Sequence, residues 1–451
     1  MANLPTLPVE LLLQISKYLC PHCSGPYPTV CQTKSLSRLT RTCRGLRDIL
    51  QPYLFHHYYH TSEPAARLLS FLRALYTRPD LTECVTSLGF HESCRYDKLG
   101  EDDRAMVEDC LARLGLPALP DDWHDHVVEN RSHIPMEVII ASCPNLETLE
   151  IPVNPEWMLD VVESFPCVSK PIVLDKLRKL RVSHFYISGD HWAVPYGQIE
   201  PLLSAAPNLE QLTLPTLDSF YEDTHGLPPL EMLTLLDLDE NAATPYFLQR
   251  ILSVCPRLEK FVLYWIGADG YGEPSDDWSP MDVWKALRQA RDSLRELTFE
   301  SINEEPEGRV IADCLSTLNE FTKLEVLAVN GIALAVIYQT WVRRDHNHDM
   351  EEFVHQLFPS TVKEITLCDP SGPFLEAVRL LAQEGARQRY PNLRKISITQ
   401  SQHLQTFWGD AVQWVRNQES LRRKFQNTGV ELCIDLPPIP DTIQEWPMFL
   451  R

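Results

Sequence analysis

Cys20-Pro21-His22-Cys23 is the densest group of reactive side chains in this sequence. C-P-H-C serves thiol oxidoreductases when it follows a strand and opens a helix, whose N-terminal dipole lowers the thiol pKa. Here it follows the end of a helical pattern instead. A zinc reading would use Cys20, Cys23 and Cys31, with Cys43 or His22 as a fourth ligand, but without the paired spacing of an established finger. A capped irregular loop is the plainer reading, so the sequence assigns no metal ligand and no cofactor. His56, His57 and His60, set among tyrosines, and Asp345-His346-Asn347-His348-Asp349 offer donors but read as solvated loop or helix face. Gly267, Gly270 and Gly272 lead into acids and have the wrong spacing to cradle a phosphate. G-x-G-x-x-G, G-x-x-x-x-G-K-[ST], H-E-x-x-H and G-x-S-x-G are all missing, and the expectation is a protein that is not an enzyme.

Composition points the same way. The 451 residues carry 41 Lys+Arg against 62 Asp+Glu, a net −21, which repels phosphate backbones and anionic lipid. Neither nucleic acid nor membrane is an expected partner. Residues 1–19 lack the early positive charge of a signal peptide and contain Pro5, Pro8 and Glu10. The longest strongly apolar stretch, Val326 to Tyr338, is too short to span a bilayer. Thirteen scattered cysteines suit reduced thiols, so the expected location is the cytoplasm or nucleus, where the Asn130-Arg131-Ser132 sequon stays unmodified.

The elements that must position any site come from an internal repeat, apolar-x-x-apolar-x-apolar. It is clearest in PNLETLEI (144–151), PNLEQLTL (207–214), PRLEKFVL (256–263) and PNLRKISI (391–398). The first apolar positions are Leu146, Leu177, Leu209, Leu230, Leu258, Leu294, Leu324, Val362 and Leu393, spaced by about 31 residues on average. Val85-x-x-Leu88-x-Phe90 and Val430, Leu432, Ile434 extend the series to as many as eleven strands. Between them lie helical patterns starting at Asn154-Pro155, Thr244-Pro245 and Ser279-Pro280, each an N-cap residue before Pro at the first helical position. A strand and a helix per period describe an α/β fold: a leucine-rich-repeat solenoid, a horseshoe with parallel strands on its concave face. Only 17 Gly but 35 Pro punctuate the chain, because proline marks the starts of helices and strands. Cys143 and Cys255 share a repeat position with Ala206, as expected of small buried fillers.

Before the repeats, Leu7, Leu11, Ile15 and Leu19 recur every fourth residue behind Pro8, and Leu36, Leu39, Cys43, Leu46 and Leu50 form a second run stopped by Pro52. Either a plain helical cap or a docking module fits, and a few short helices call for a partner to complete them. Leu7-Pro8, Glu10-Leu11, Ile15, Tyr18-Leu19, then Leu36, Leu39, Cys43-Arg44 and Leu46 resemble an F-box, and with the repeats the chain is similar to F-box proteins of filamentous fungi. The resemblance implies a substrate receptor of an SCF (Skp–cullin–F-box) ubiquitin ligase. Its partners would be the Skp adaptor, through it a cullin, and an unknown protein substrate. It implies adaptor contacts from Leu7, Pro8, Leu11, Ile15, Leu19, Leu36, Leu39 and Leu46. A leucine-rich interaction scaffold with no role in ubiquitylation is the alternative.

Expected domains are 1–60, the adaptor-docking helices; 61–434, about nine to eleven irregular repeats; and 435–451, a Pro-rich tail or cap. Lys17, Lys34, Arg38, Arg41, Arg44 and Arg47 against Glu10 and Asp48 make the first module +4 and leave −25 for the rest. Alternation along each strand turns the residues between the repeat leucines toward the open face. There Met232, Leu236, Lys260, Val262, Tyr264, Glu296, Glu300 and Val326 are expected to bind substrate through a centrally apolar patch.

Overall fold

The structure is a computed structural model that describes residues 7–20, 23, 30–60, 66–90, 99–128, 133–153, 171–184, 194–215, 217–218, 227–241, 245–265, 285–301, 318–330, 350–368, 372–383, 388–399, 419–426 and 428–435. The Gly267 cluster, the 345–349 histidines, the sequon, His22 and the starts at Asn154 and Ser279 lie outside them, as do residues 436–451.

Pro8, with φ −52° and ψ 145°, presents its carbonyl to the amides of Leu11 and Leu12 and opens α1 (Val9–Leu19). α2 (Val30–Thr40) and α3 (Arg44–Phe55) complete a three-helix core in which Leu12, Leu36, Leu46 and Leu50 are buried. The expected second run is thus two helices, because the amides of Arg41 and Thr42 turn back to the carbonyls of Arg38 and Leu39. Pro52 does not stop α3, which continues to Phe55. Proline there forfeits one amide bond, while Tyr53 and Leu54 pack on the core and hold the last turn.

The chain forms two compact units, 1–232 and 233–451. In the first, α1 to α3 are followed by β1 (His57–His60), α4 (Ala66–Thr77), β2 (Ser87–Phe90), α5 (Glu101–Leu114), α6 (Trp123–Val128), α7 (Ile134–Ser142), β3 (Thr148–Val153) and β4 (Lys179–His184). Next come β5 (Val194–Pro195), α8 (Tyr196–Ala205), β6 (Gln211–Leu214) and β7 (Leu217–Asp218). β1, β2, β3, β4 and β6 pair in that order, all parallel, and β5 pairs with β7. The second unit contains β8 (Leu235–Asn241), α9 (Pro245–Ser253), β9 (Lys260–Trp265), β10 (Glu296–Ser301), β11 (Val326–Asn330) and α10 (Met350–Leu357). It ends with β12 (Glu364–Cys368), α11 (Gly372–Leu381), β13 (Lys395–Thr399) and β14 (Glu431–Asp435). Its described strands, β8 to β14, pair parallel in sequence order. Crossover helices between parallel strands are the expected α/β architecture. No helix among the described residues is long and apolar enough to cross a membrane.

One closure recurs along both units. The residue before a strand offers one carbonyl to two successive amides of the next strand: Glu147 to Arg178 and Lys179, Arg178 to Glu210 and Gln211, Glu259 to Arg295 and Glu296. The asparagine of Pro-Asn-Leu ties neighbouring repeats, Asn145 Nδ2 donating to the Glu83 carbonyl at 2.8 Å and Asn208 Nδ2 to the Asp175 carbonyl at 3.0 Å. Cys143, Ala206 and Cys255 occupy one buried position and accept the amides of Leu146, Leu209 and Leu258 respectively. Burial pushes the Cys143 thiol up and that of Cys255 to about 12, which suits fillers rather than nucleophiles.

One repeat sits three residues away from its expected register. Leu236 pairs with Phe261 and Leu238 with Leu263, so Leu233-x-x-Leu236-x-Leu238 is the repeat copy, not Leu230-x-x-Leu233-x-Leu235. The segment LEMLTLLDL satisfies both. The expected register would turn Leu236 and Leu238 outward and bury only Leu235 in exchange. At about 1.5–3 kcal/mol per buried leucine side chain, the observed register wins.

Candidate functional site

On α1 the residues divide by face. Leu12 and Ser16 point into the core, and the Ser16 hydroxyl is satisfied by donating to the Leu12 carbonyl at 2.6 Å. Pro8, Leu11, Ile15 and Tyr18 follow the i, i+3, i+7, i+10 spacing of one helix face. Leu11 is 44% exposed, Tyr18 75% and the neighbouring Val9 50%, while Ile15 is half-buried. Large apolar side chains left in water on one helix are the surface a partner would cover.

Two residues expected to touch the adaptor do not reach this surface. Leu36 and Leu46 are 1% and 2% exposed and form the core with Leu12 and Leu50. Heptad-like spacing marks a buried stripe and a docking stripe alike, and only the packing of three helices tells them apart. Leu7, Leu19 and Leu39 are partly buried against the same core.

In the second unit, strand register brings the outward residues into rows. Lys260, Glu296 and Val326 lie side by side at the strand starts, followed by Glu364, Lys395 and Glu431. The Lys260 ammonium meets the Glu296 carboxylate at 3.0 Å, both about two-fifths exposed. The next row runs Asp237, Val262, Thr298, Ala328, Thr366, Ser397 and Cys433. In the last, Tyr264 pairs with Glu300, and Asn330, Cys368 and Thr399 pair in turn. Thr399 Oγ1 donates to Cys368 Sγ at 3.4 Å, and the Cys368 thiol donates to Glu300 Oε1 at 3.5 Å.

The expected centrally apolar patch is therefore corrected. Leu236 is fully buried at the inward position opposite Phe261, and Met232 lies in a turn before β8 within the first unit. Val262 and Glu300, at 8% and 9% exposure, are mostly covered by their neighbours. What remains accessible of the expected patch on these strands is the Lys260–Glu296 pair, with Tyr264 and Val326 half-buried.

A third cluster joins two features that the sequence left apart. Cys20, Cys23 and His56 bring their ligand atoms within 4.8 Å of one another, with Cys23 Sγ 3.7 Å from His56 Nδ1. His57 does not join them, its Nδ1 lying 2.9 Å from Ser87 Oγ. The side chain of Cys31 lies outside the described residues.

Residues 4–61 match the F-box-like family model. No curated protein matches the sequence. Among solved structures, the chain is similar to one in a crystal structure of the Rad7 and Elc1 complex in yeast, at 15% identity and a TM-score of 0.34, covering 91% of this chain and 97% of that one.

Proposed function

We propose that the chain is the substrate-recognition subunit of an SCF-type E3 ubiquitin ligase. The F-box helices of 1–60 dock on a Skp-type adaptor and through it a cullin, and a leucine-rich-repeat domain over 61–434 binds a protein substrate. The chain itself catalyses no step and works in the cytoplasm or nucleus. The observation that carries this reading is the F-box-like match over 4–61 laid on a helix whose outer face is Pro8, Leu11, Ile15 and Tyr18. Their burial against an adaptor supplies the hydrophobic core of an interface. The accessible face of β8–β14, with Lys260, Glu296, Tyr264 and Val326, suits a polar protein surface more than a greasy peptide.

The test is co-purification of adaptor and cullin with three full-length variants. Leu11→Asp and Tyr18→Asp each weaken adaptor binding by at least about 2 kcal/mol, as central interface residues do, with the melting temperature of the free chain unchanged. Leu46→Ala instead costs about 2–5 kcal/mol of stability, as buried leucines do. If both aspartate variants capture adaptor and cullin at wild-type levels, the reading fails in favour of a scaffold outside the ubiquitin pathway.

A further inference from the structure

We infer that Cys20, Cys23 and His56 form a zinc site that fastens the end of α1 to the junction between α3 and β1. Two thiolates and an imidazole are a donor set that zinc prefers over the hard cations. With Zn–S near 2.3 Å and Zn–N near 2.0–2.1 Å, a tetrahedral ion places ligand sulfur and nitrogen about 3.6 Å apart and two sulfurs about 3.8 Å apart. The observed 3.7 Å between Cys23 Sγ and His56 Nδ1, and the 4.8 Å limit on all three, lie within a small side-chain adjustment of that geometry.

The backbone presents the ligands. Cys20 leaves α1 in an extended conformation, and the Cys23 amide donates to the Cys20 carbonyl at 3.1 Å, which keeps the two cysteines side by side. His56 arrives from 33 residues further along, at the C-cap of α3, with its ring against Tyr53 at 4.7 Å between centroids. Cys20 is buried while Cys23 is exposed, giving an ion a walled side and a route in. The three protein ligands leave one tetrahedral position for water or a further ligand. Burial, and then the neighbouring Cys20, push the Cys23 thiol up to about 11. Zinc is ligated by thiolates, so binding releases thiol protons to solvent and affinity rises with pH.

The site has a mechanical role. The His56 carbonyl accepts the amides of Thr86 and Ser87 at 3.0 and 2.9 Å, the same double acceptance that Thr86, Glu147 and Arg178 offer before β3, β4 and β6. Zinc on the His56 ring thus couples the docking helices to the first rung of the repeat ladder.

The experiment is metal analysis of the full chain purified from zinc-supplemented cells, followed by Co²⁺ substitution. One zinc per chain is expected, with Cys23→Ser and His56→Gln each losing at least tenfold in zinc affinity and Cys43→Ser, which removes a thiol outside the cluster, losing none. Cobalt should give a thiolate charge-transfer band and the strong visible bands of a tetrahedral ion. A chain that carries no zinc and gives no cobalt charge-transfer band overturns the inference. So does zinc held equally by Cys23→Ser, His56→Gln and the parent. Cys23→Ser alters an exposed side chain and leaves the helical core intact, which separates ligand loss from unfolding.

Discussion

Leu11 and Leu12 adjoin in sequence but lie about 100° apart around α1, and that angle separates an exposed residue from a core residue. The leucine spacing alone could not sort Leu36 and Leu46 from Leu11, since all three satisfy the same period. It could not pair His56 with Cys20 and Cys23 either, because their approach depends on where α3 ends. A buried histidine makes the same point about stability. His133, at the N-cap of α7, is held down to about 3 from its ordinary 6.5 by burial. The unfolded chain takes up a proton near 6.5 that the folded chain refuses until about 3. Stability is therefore complete above 6.5 and falls by about 1.4 kcal/mol for each pH unit below it. Denaturant titrations from neutral pH toward pH 4 should show stability falling more steeply in the parent than in His133→Asn, the difference approaching that slope.

At the scale of elements, the strands were legible wherever inward leucines recur, and the helix opening at Pro245 was legible as N-cap plus proline. β8 was misread because LEMLTLLDL supports two registers, and burial of neighbouring elements chooses between them. β1 was missed because HHYYH lacks the leucine pattern. Its Tyr58 instead stacks on Phe71 at 4.0 Å between centroids, and Tyr59 lies opposite Gly89. A side chain at Gly89 would overlap the Tyr59 ring, so glycine here is a packing requirement between β1 and β2. Gly89→Ala should destabilise the chain by about 1–3 kcal/mol, the usual cost of overpacking. Adding Tyr59→Ala should recover part of that loss, since residues in contact couple. Thermal melts of the two single variants and the double variant check it, and strict additivity would refute the contact.

At the scale of the whole chain, the F-box-like segment and the first repeat strands share one compact unit, and β1 begins two residues after α3 ends. Deleting residues 1–60 therefore removes β1 together with the three N-terminal helices and bares the edge of β2, an invitation to pair with another chain. The truncated chain should self-associate in light scattering and melt below the parent, whereas Leu11→Asp should leave both properties unchanged. A truncated chain that stays monodisperse and melts like the parent would show that β1 is dispensable. The carbonyl of His56 has a consequence in time as well. Synthesis runs from the N terminus, and domains tend to fold in that order. The three helices and β1 are complete before any later strand emerges. A strand slipped by one residue turns its inward face out, so the earliest-made segment acts as a phase template. Within the first unit, each strand laid down afterwards inherits its inside and outside from the alignment that His56 offers to Thr86 and Ser87.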